Sequence, residues 1–264
     1  VRTRDRLQTA YDVVAPSFDR HRALPEGVPE AIRAAILETV RAPAPRLLDL
    51  GAGSGRIGAP FVAAGDDYVG VDLSSGMLRE FAQRTAGTAR LVQADGARLP
   101  FRDAAFDAVL LIQVFGGLRG WRKFIAEARR VLRPEGALIL GRTEMPPDGV
   151  DARMKDRLAS ILKGLGAGQD RANARDEIEQ SLASVAHRHD SVTAAAWTTR
   201  RTPRGFIERH GSGARFSQLT APVKAQAMRE LSAWAAETFG SLDRAFSEPQ
   251  SFELQVFRFE NGTP

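Results

Sequence analysis

The stretch Arg46-Leu-Leu-Asp-Leu-Gly-Ala-Gly-Ser-Gly-Arg-Ile57 restricts what this chain can fold into more than any other. A short apolar run closes on Asp49 and Leu50, and glycine then takes every second position at Gly51, Gly53 and Gly55. The pattern reads as a buried strand, a tight turn without Cβ atoms, and a helix starting at once. Such a turn lets a ligand lie against the backbone near the positive end of a helix dipole.

The rest of the chain keeps the rhythm that this turn begins. Strands are expected at Arg46–Leu50, Tyr68–Asp72, Arg90–Gln93, Phe106–Ile112 and Ala137–Gly141. The helices between them run over about Ser54–Ala64, after Ser74 or Ser75, and over Trp121–Leu132, with Arg133-Pro-Glu-Gly136 as a turn. Strands separated by helices in this way predict an α/β, doubly wound, Rossmann-like and mostly parallel sheet of seven strands with helices on both faces. The rhythm changes after residue 142. Helical segments at Asp151–Leu165, Arg175–His187 and about 203–240 alternate with strands at Ser191–Thr199 and Phe252–Phe259, which predicts a helical lid insertion. One structural domain is expected, with residues 1–45 as an N-terminal helical cap, 46–144 as a cofactor-binding core and 145–264 as the rest of the sheet with substrate-selecting insertions.

Composition excludes several chemistries. The 264 residues contain no cysteine, so disulfides, thiolate metal sites and a cysteine nucleophile are ruled out. No apolar run approaches the roughly 20 residues needed to span a bilayer. Val1–Arg6 is charged with no apolar stretch behind it, so no secretory signal is visible and a cytoplasmic location is expected. The net charge of +5 comes from scattered arginines rather than a basic block, which reads as a solvated surface.

Two registers compete at the glycine turn. Gly53-Ser-Gly55-Arg-Ile-Gly58 formally satisfies a dinucleotide fingerprint, with Asp72 as the carboxylate ending the second strand. Counted from Gly51, just after the strand, the sixth position is Arg56 instead of glycine. The run Asp49-Leu-Gly-Ala-Gly-Ser-Gly55 resembles the first motif of class I S-adenosylmethionine-dependent methyltransferases. The resemblance continues in order through Val69–Leu78, Gln93-Ala-Asp-Gly-Ala-Arg-Leu-Pro-Phe101, Phe106–Leu110 and Arg130-Val-Leu-Arg-Pro-Glu-Gly-Ala-Leu138. The small-molecule branch containing the ubiquinone and menaquinone biosynthesis methyltransferases is the subgroup that it resembles.

That resemblance implies S-adenosyl-L-methionine as cofactor and a set of contacts for it. Asp72 would accept the two ribose hydroxyls, a pairing natural to a carboxylate. Asp95 would accept the adenine amino group, with Gly96 and Ala97 beside the ring and Leu73 and Met77 flanking it. Gly51, Ala52 and Gly53 would pass their backbone along the ligand. Asp49 would satisfy the glycine loop or the ligand's ammonium, and Arg56 would hold its carboxylate. Gln113, ending strand four, would touch the methionine end or the acceptor. Tyr11, in an N-terminal segment folded over the cofactor, completes the set.

Missing motifs narrow the acceptor. The position after strand four reads Gln113-Val-Phe-Gly116, not the Asn/Asp-Pro-Pro-aromatic tetrad of amino-directed DNA methyltransferases, and nothing near strands four and five provides clustered metal ligands. Nucleic acid, membrane and metal partners are therefore not expected, and the oligomeric state stays open. Phe115-Gly116-Gly117 departs from the paired histidines of many relatives, so the base candidates His21, His187, His189, His210, Glu144 and Tyr11 stand undistinguished. His187 and His189 are expected at the surface near a helix end. Arg142, together with Arg200, Arg201 and Arg204, could receive an anionic acceptor, and Trp121, Trp197 and Phe206 could line an apolar pocket. The reading is metal-independent, in-line methyl transfer to a small molecule, with oxygen slightly favoured. Its rivals are an NAD(P)-dependent oxidoreductase and a cofactor-binding protein without transfer activity.

Overall fold

The computed structural model describes residues 11–13, 15–16, 18–19, 23–114, 120–167, 174–211, 216 and 219–259. Its helices and strands follow in the order α1 (Val28–Val40), β1 (Leu47–Leu50), α2 (Ala59–Ala63), β2 (Tyr68–Asp72), α3 (Ser75–Arg84), β3 (Arg90–Gln93), β4 (Phe106–Ile112), α4 (Trp121–Val131), β5 (Leu132–Glu144), α5 (Val150–Gly164), α6 (Ala174–Ala183), β6 (Arg188–Arg201), α7 (Pro203–Gly211), α8 (Ala221–Phe239) and β7 (Phe246–Arg258).

The strands form one seven-stranded sheet in the order β3-β2-β1-β4-β5-β7-β6. The pairs β1–β2, β1–β4, β2–β3 and β4–β5 are parallel, with Leu47 opposite Tyr68 and Ala108. On the far side, His189 bonds Gln255 and Thr193 bonds Glu253. Those partners step in opposite directions along β6 and β7, as in an antiparallel pair. Strand order reverses between β1 and β4, and a parallel sheet of this type opens its crevice there, beyond the strands' carboxyl ends. The glycine turn leaves β1 at this point.

The chain divides into two compact units. One holds residues 23–143, 171–195 and 252–264. Its core combines Leu48, Leu50, Val69, Val71, Val109, Leu111, Leu138 and Leu140 from the sheet with Phe124, Ile125 and Ala128 of α4. β4 is buried at almost every position, as expected of a central strand covered on both faces. The other unit holds residues 1–22, 144–170 and 196–251. Its core joins Met154 and Leu158 of α5, Phe206 of α7 and Leu231 and Ala235 of α8.

Three local expectations change. The chain does not enter a helix directly after the glycines: residues 53–58 are turns and α2 has five residues. Pro60 in its first turn and Gly58, packed against Tyr68 and Phe81, delay it. Arg133–Gly136 lies inside β5, where Glu135 takes φ 63° and kinks the strand. His187 and His189 are exposed, as expected, but His189 belongs to β6 rather than to a helix end, and its ring stacks on Phe257 at 4.4 Å.

Candidate functional site

The carboxyl ends of β1 and β2 are tied together through the turn. Gly51 and Ala52 both donate backbone N–H groups to the Val71 carbonyl, at 2.7 and 3.0 Å. Gly53 donates its N–H to Asp72 Oδ2 at 2.9 Å, and Ser74 donates to Asp72 Oδ1 at 2.8 Å. Each Asp72 oxygen thus accepts a backbone hydrogen bond, which fixes the carboxylate at the end of β2. Ser74 also caps α3, accepting from the Met77 N–H at 3.1 Å. Arg84 fixes the other side of the turn by donating to the Ser54 carbonyl at 3.0 Å.

The two glycines at the tip of the turn have different reasons for lacking a side chain. Gly55 has φ 78°, and a Cβ there would sit 2.2 Å from the Phe81 ring, so packing demands glycine. Gly53 has φ 57°, and a Cβ would meet only the Gly51 carbonyl oxygen at 3.9 Å. Its face is open, which leaves backbone available to a ligand.

Behind the turn, Asp49 is 3% exposed and accepts a 2.6 Å hydrogen bond from the Tyr68 hydroxyl. Its Oδ1 is buried without a hydrogen-bond partner. Burial pushes the Asp49 carboxyl up to about 7; the Tyr68 bond opposes that rise, and the negative charge of Asp72 adds to it.

The segment after β3 is moored at both ends. Ala94 donates to the Asp72 carbonyl at 3.1 Å, and Gln93 Nε2 donates to the Leu73 carbonyl at 3.2 Å. Asp95 Oδ1 accepts from the Ala97 N–H at 2.9 Å, and Gly96 is buried under Phe124. From α4, Glu127 accepts the Leu99 N–H at 2.7 Å, while Arg130 donates to the Phe101 carbonyl at 2.8 Å and to Asp103 at 2.7 Å. The hydrogen bond from Arg130 holds the Glu127 carboxyl below its ordinary value.

At the end of β4, Gln113 has φ 57°, a left-handed conformation uncommon outside glycine. Its Oε1 accepts from Arg56 Nη2 at 3.0 Å and its Nε2 donates to Thr143 Oγ1 at 3.0 Å, so one side chain links the turn to β5.

These features fit an organic ligand lying along exposed backbone better than a helix-held phosphate. α2 is too short for a strong dipole, and Arg56 sits in the turn before it rather than at the helix start. The methyltransferase domain family matches residues 48–140. A demethylmenaquinone methyltransferase of Clavibacter sepedonicus is 32% identical over 203 residues, covering 72% of this chain and 79% of that protein. The chain belongs to the S-adenosylmethionine-dependent methyltransferases.

A malonyl-[acyl-carrier protein] O-methyltransferase of Geobacter sulfurreducens is 31% identical over 200 residues, 72% of each chain. Among solved structures, the YcgJ protein of Bacillus subtilis superposes with TM-score 0.54 at 19% identity, over 87% of this chain and 98% of its own. The [4+2]-cyclase SpnF superposes with TM-score 0.57 at 18% identity, over 99% and 98%. At such identities these two matches establish the fold alone.

The methyltransferase brings Asp49, Gly51, Ala52, Gly53, Arg56, Asp72, Leu73, Met77, Asp95, Gly96, Ala97, Gln113 and Arg142 into one unit. Met77 is 2% exposed, and Arg142 is bonded to Glu179. Tyr11 and Trp197 belong to the other unit, where Tyr11 packs edge-on against Phe18 at 6.2 Å. Trp121 and Phe206 are both core residues. Of the candidate bases, His21 lies outside the described residues, as does Phe115-Gly116-Gly117. His189 bonds Gln255 at 2.6 Å, His210 stacks on Phe206 at 3.7 Å, and His187 lies 3.8 Å from Glu135. Among the described residues no three His, Asp or Glu gather as a metal set, and no helix is long and apolar enough to cross a membrane.

Sequence reasoning missed Tyr68, Glu127, Arg130 and Thr143 as supports of the site. Tyr68 carried a signal: a tyrosine in a buried strand must find a partner for its hydroxyl.

Proposed function

We propose that this methyltransferase acts on a small molecule by metal-independent, in-line transfer, with an oxygen acceptor favoured over nitrogen or carbon. The observation that carries this reading is the pairing of Asp72 with Gly53, which sets a carboxylate beside open backbone at the sheet's switch point. In this reading Asp72 receives the ribose hydroxyls of S-adenosylmethionine and Asp95 its adenine amino group. Leu73, Gly96 and Ala97 flank the ring, with Met77 in the buried layer. Gly51, Ala52 and Gly53 give backbone contact, and Asp49 the neighbourhood of the ammonium. Arg56, aimed by Gln113, meets the carboxylate. Tyr11 covers the cofactor, and Arg142 and Trp197 belong to the acceptor side.

When bound, the cofactor supplies a methyl carbon already activated by the sulfonium. The chain's own share is to hold the acceptor in line and to exclude water. An acceptor that is already ionised needs no base. The relative named as an O-methyltransferase supports oxygen. A cytoplasmic location and a small-molecule partner complete the proposal.

The test is transfer from [methyl-13C]S-adenosylmethionine to a panel of phenols, carboxylates, amines and activated carbon acids. Carbon NMR then distinguishes methyl on oxygen, nitrogen or carbon. Product labelled only on carbon or nitrogen defeats the oxygen preference. Failure to bind S-adenosylhomocysteine defeats the cofactor assignment.

A further inference from the structure

Just past the end of β4, Gln113 holds a left-handed backbone conformation, φ 57°, which costs free energy in any residue that carries a Cβ. Three bonds hold it there. Its N–H donates to the Gly141 carbonyl at 2.8 Å, carrying the β4–β5 ladder one residue further. Its side chain reaches Arg56 in the glycine turn and Thr143 in β5, both at 3.0 Å. All four residues belong to one compact unit.

The direction of the two side-chain bonds follows from the chemistry of the groups. Arg56 has only donors, so the amide oxygen of Gln113 must face it and the amide nitrogen must face Thr143. That nitrogen can only donate, so the Thr143 oxygen accepts and its own proton points elsewhere. No acceptor for that proton lies within hydrogen-bond distance among the described residues. Donors therefore run one way, from a guanidinium through an amide to a hydroxyl. Each bond polarises the next, so the charge of Arg56 strengthens Thr143 as a donor. Gln113 is exposed and Thr143 half-buried, so the chain ends at the surface rather than in the core.

A tie that only joined the turn to β5 would not require this polarity. A carboxylate in place of the amide would bind Arg56 more strongly and would accept from Thr143. The amide is the choice that leaves a donor over.

We propose that Thr143 is a specificity-determining residue that donates to a carbonyl or ionised oxygen of the methyl acceptor, and that Gln113 is the positioning residue that sets its polarity. β1, β4 and β5 run parallel, so the glycine turn, Gln113 and Thr143 share the carboxyl edge of the sheet. Arg56 is assigned to the cofactor's carboxylate, which leaves the far end of the chain of donors to the second ligand. An acceptor without an oxygen at that place leaves the hydroxyl unpaired and is selected against. This inference rests on the reading of the chain as a methyltransferase with a small-molecule acceptor.

The test compares 3- and 4-hydroxyacetophenone with 3- and 4-ethylphenol, pairs that differ only in a carbonyl against a methylene. Binding to the full chain is measured by calorimetry with S-adenosylhomocysteine present. In at least one pair the ketone is expected to bind at least tenfold more tightly. Thr143→Val, which keeps the shape and removes the donor, is expected to abolish that preference, and Thr143→Ser to retain it. Gln113→Glu separates recognition from support. It keeps a partner for Arg56 and turns the Thr143 proton inward, so Tm is expected to hold while the preference is lost. The inference is overturned if neither ketone is preferred, if Thr143→Val keeps the preference, or if Gln113→Glu keeps it, as a purely structural tie requires. S-adenosylhomocysteine binding to the wild-type chain is read first, without phenol. Its absence defeats the cofactor assignment, whereas its presence without a ketone preference defeats this inference alone.

Discussion

Tyr68 donates its phenolic proton to Asp49 across 2.6 Å, in a layer where both residues are sealed from water. The pair lies under the glycine turn and joins β1 to β2 by side chains as well as by the parallel ladder. Tyr68→Phe keeps the ring that stacks on Phe61 at 5.4 Å and removes only the donor. Leaving a buried carboxyl without its partner costs about 1–3 kcal/mol. Urea unfolding should show a loss of that size; no loss would mean that the bond does not support the turn.

Asp49 also makes stability depend on pH. Its folded value of about 7 lies above the unfolded value, so the folded chain keeps a proton that the unfolded chain has released. The contribution is fully present below about pH 4, declines as pH rises, and is gone above about pH 7. Asp49→Asn cannot titrate. The stability difference between wild type and variant, measured by urea unfolding across this range, should fall towards higher pH and level off near neutrality. A difference that stays constant would contradict the assignment.

Glycine substitutions should separate packing from ligand approach. Gly55→Ala drives a methyl group into Phe81 at a positive φ, and should lower stability by more than 2 kcal/mol. Gly53→Ala meets open space and pays only the left-handed backbone cost of roughly 1–2 kcal/mol. Its larger effect should be on S-adenosylhomocysteine affinity, measured by calorimetry. Equal loss of affinity and stability in both variants would show that Gly53 is not a ligand-facing position.

Much of this site was legible because its signals are local. The glycine spacing, the carboxylate ending β2 and the acid just after β3 each follow from a few consecutive residues, and parallel strand order places them together. Contacts between distant segments were not legible. Tyr68 reaches Asp49 through the β1–β2 register, and Gln113 joins Arg56 to Thr143 across strand ends that no short pattern aligns. The delayed start of α2 depended on Gly58 meeting Tyr68 and Phe81, which is a tertiary constraint. His189 was misread as a helix-end residue because alternation in the edge strand β6 begins before the apolar positions do.

Glu127 connects α4 to the segment carrying Asp95. Glu127→Ala removes the acceptor of the Leu99 N–H and the partner of Arg130. The expected cost is about 1–3 kcal/mol, accompanied by weaker S-adenosylhomocysteine binding if the segment carrying Asp95 contacts the cofactor as proposed. Thermal unfolding and calorimetry on the same variant check both. Weaker binding without lower stability would place Glu127 in contact with the ligand instead.

Thermal unfolding of the full chain with S-adenosylhomocysteine or NADH decides which cofactor the glycine turn and Asp72 serve. A ligand at a hundred times its Kd adds about 2.7 kcal/mol, which for a chain of this size raises Tm by roughly 5–10 °C. S-adenosylhomocysteine should produce that rise, NADH should produce none, and Asp72→Ala should abolish it. A rise with NADH and none with S-adenosylhomocysteine would contradict the account.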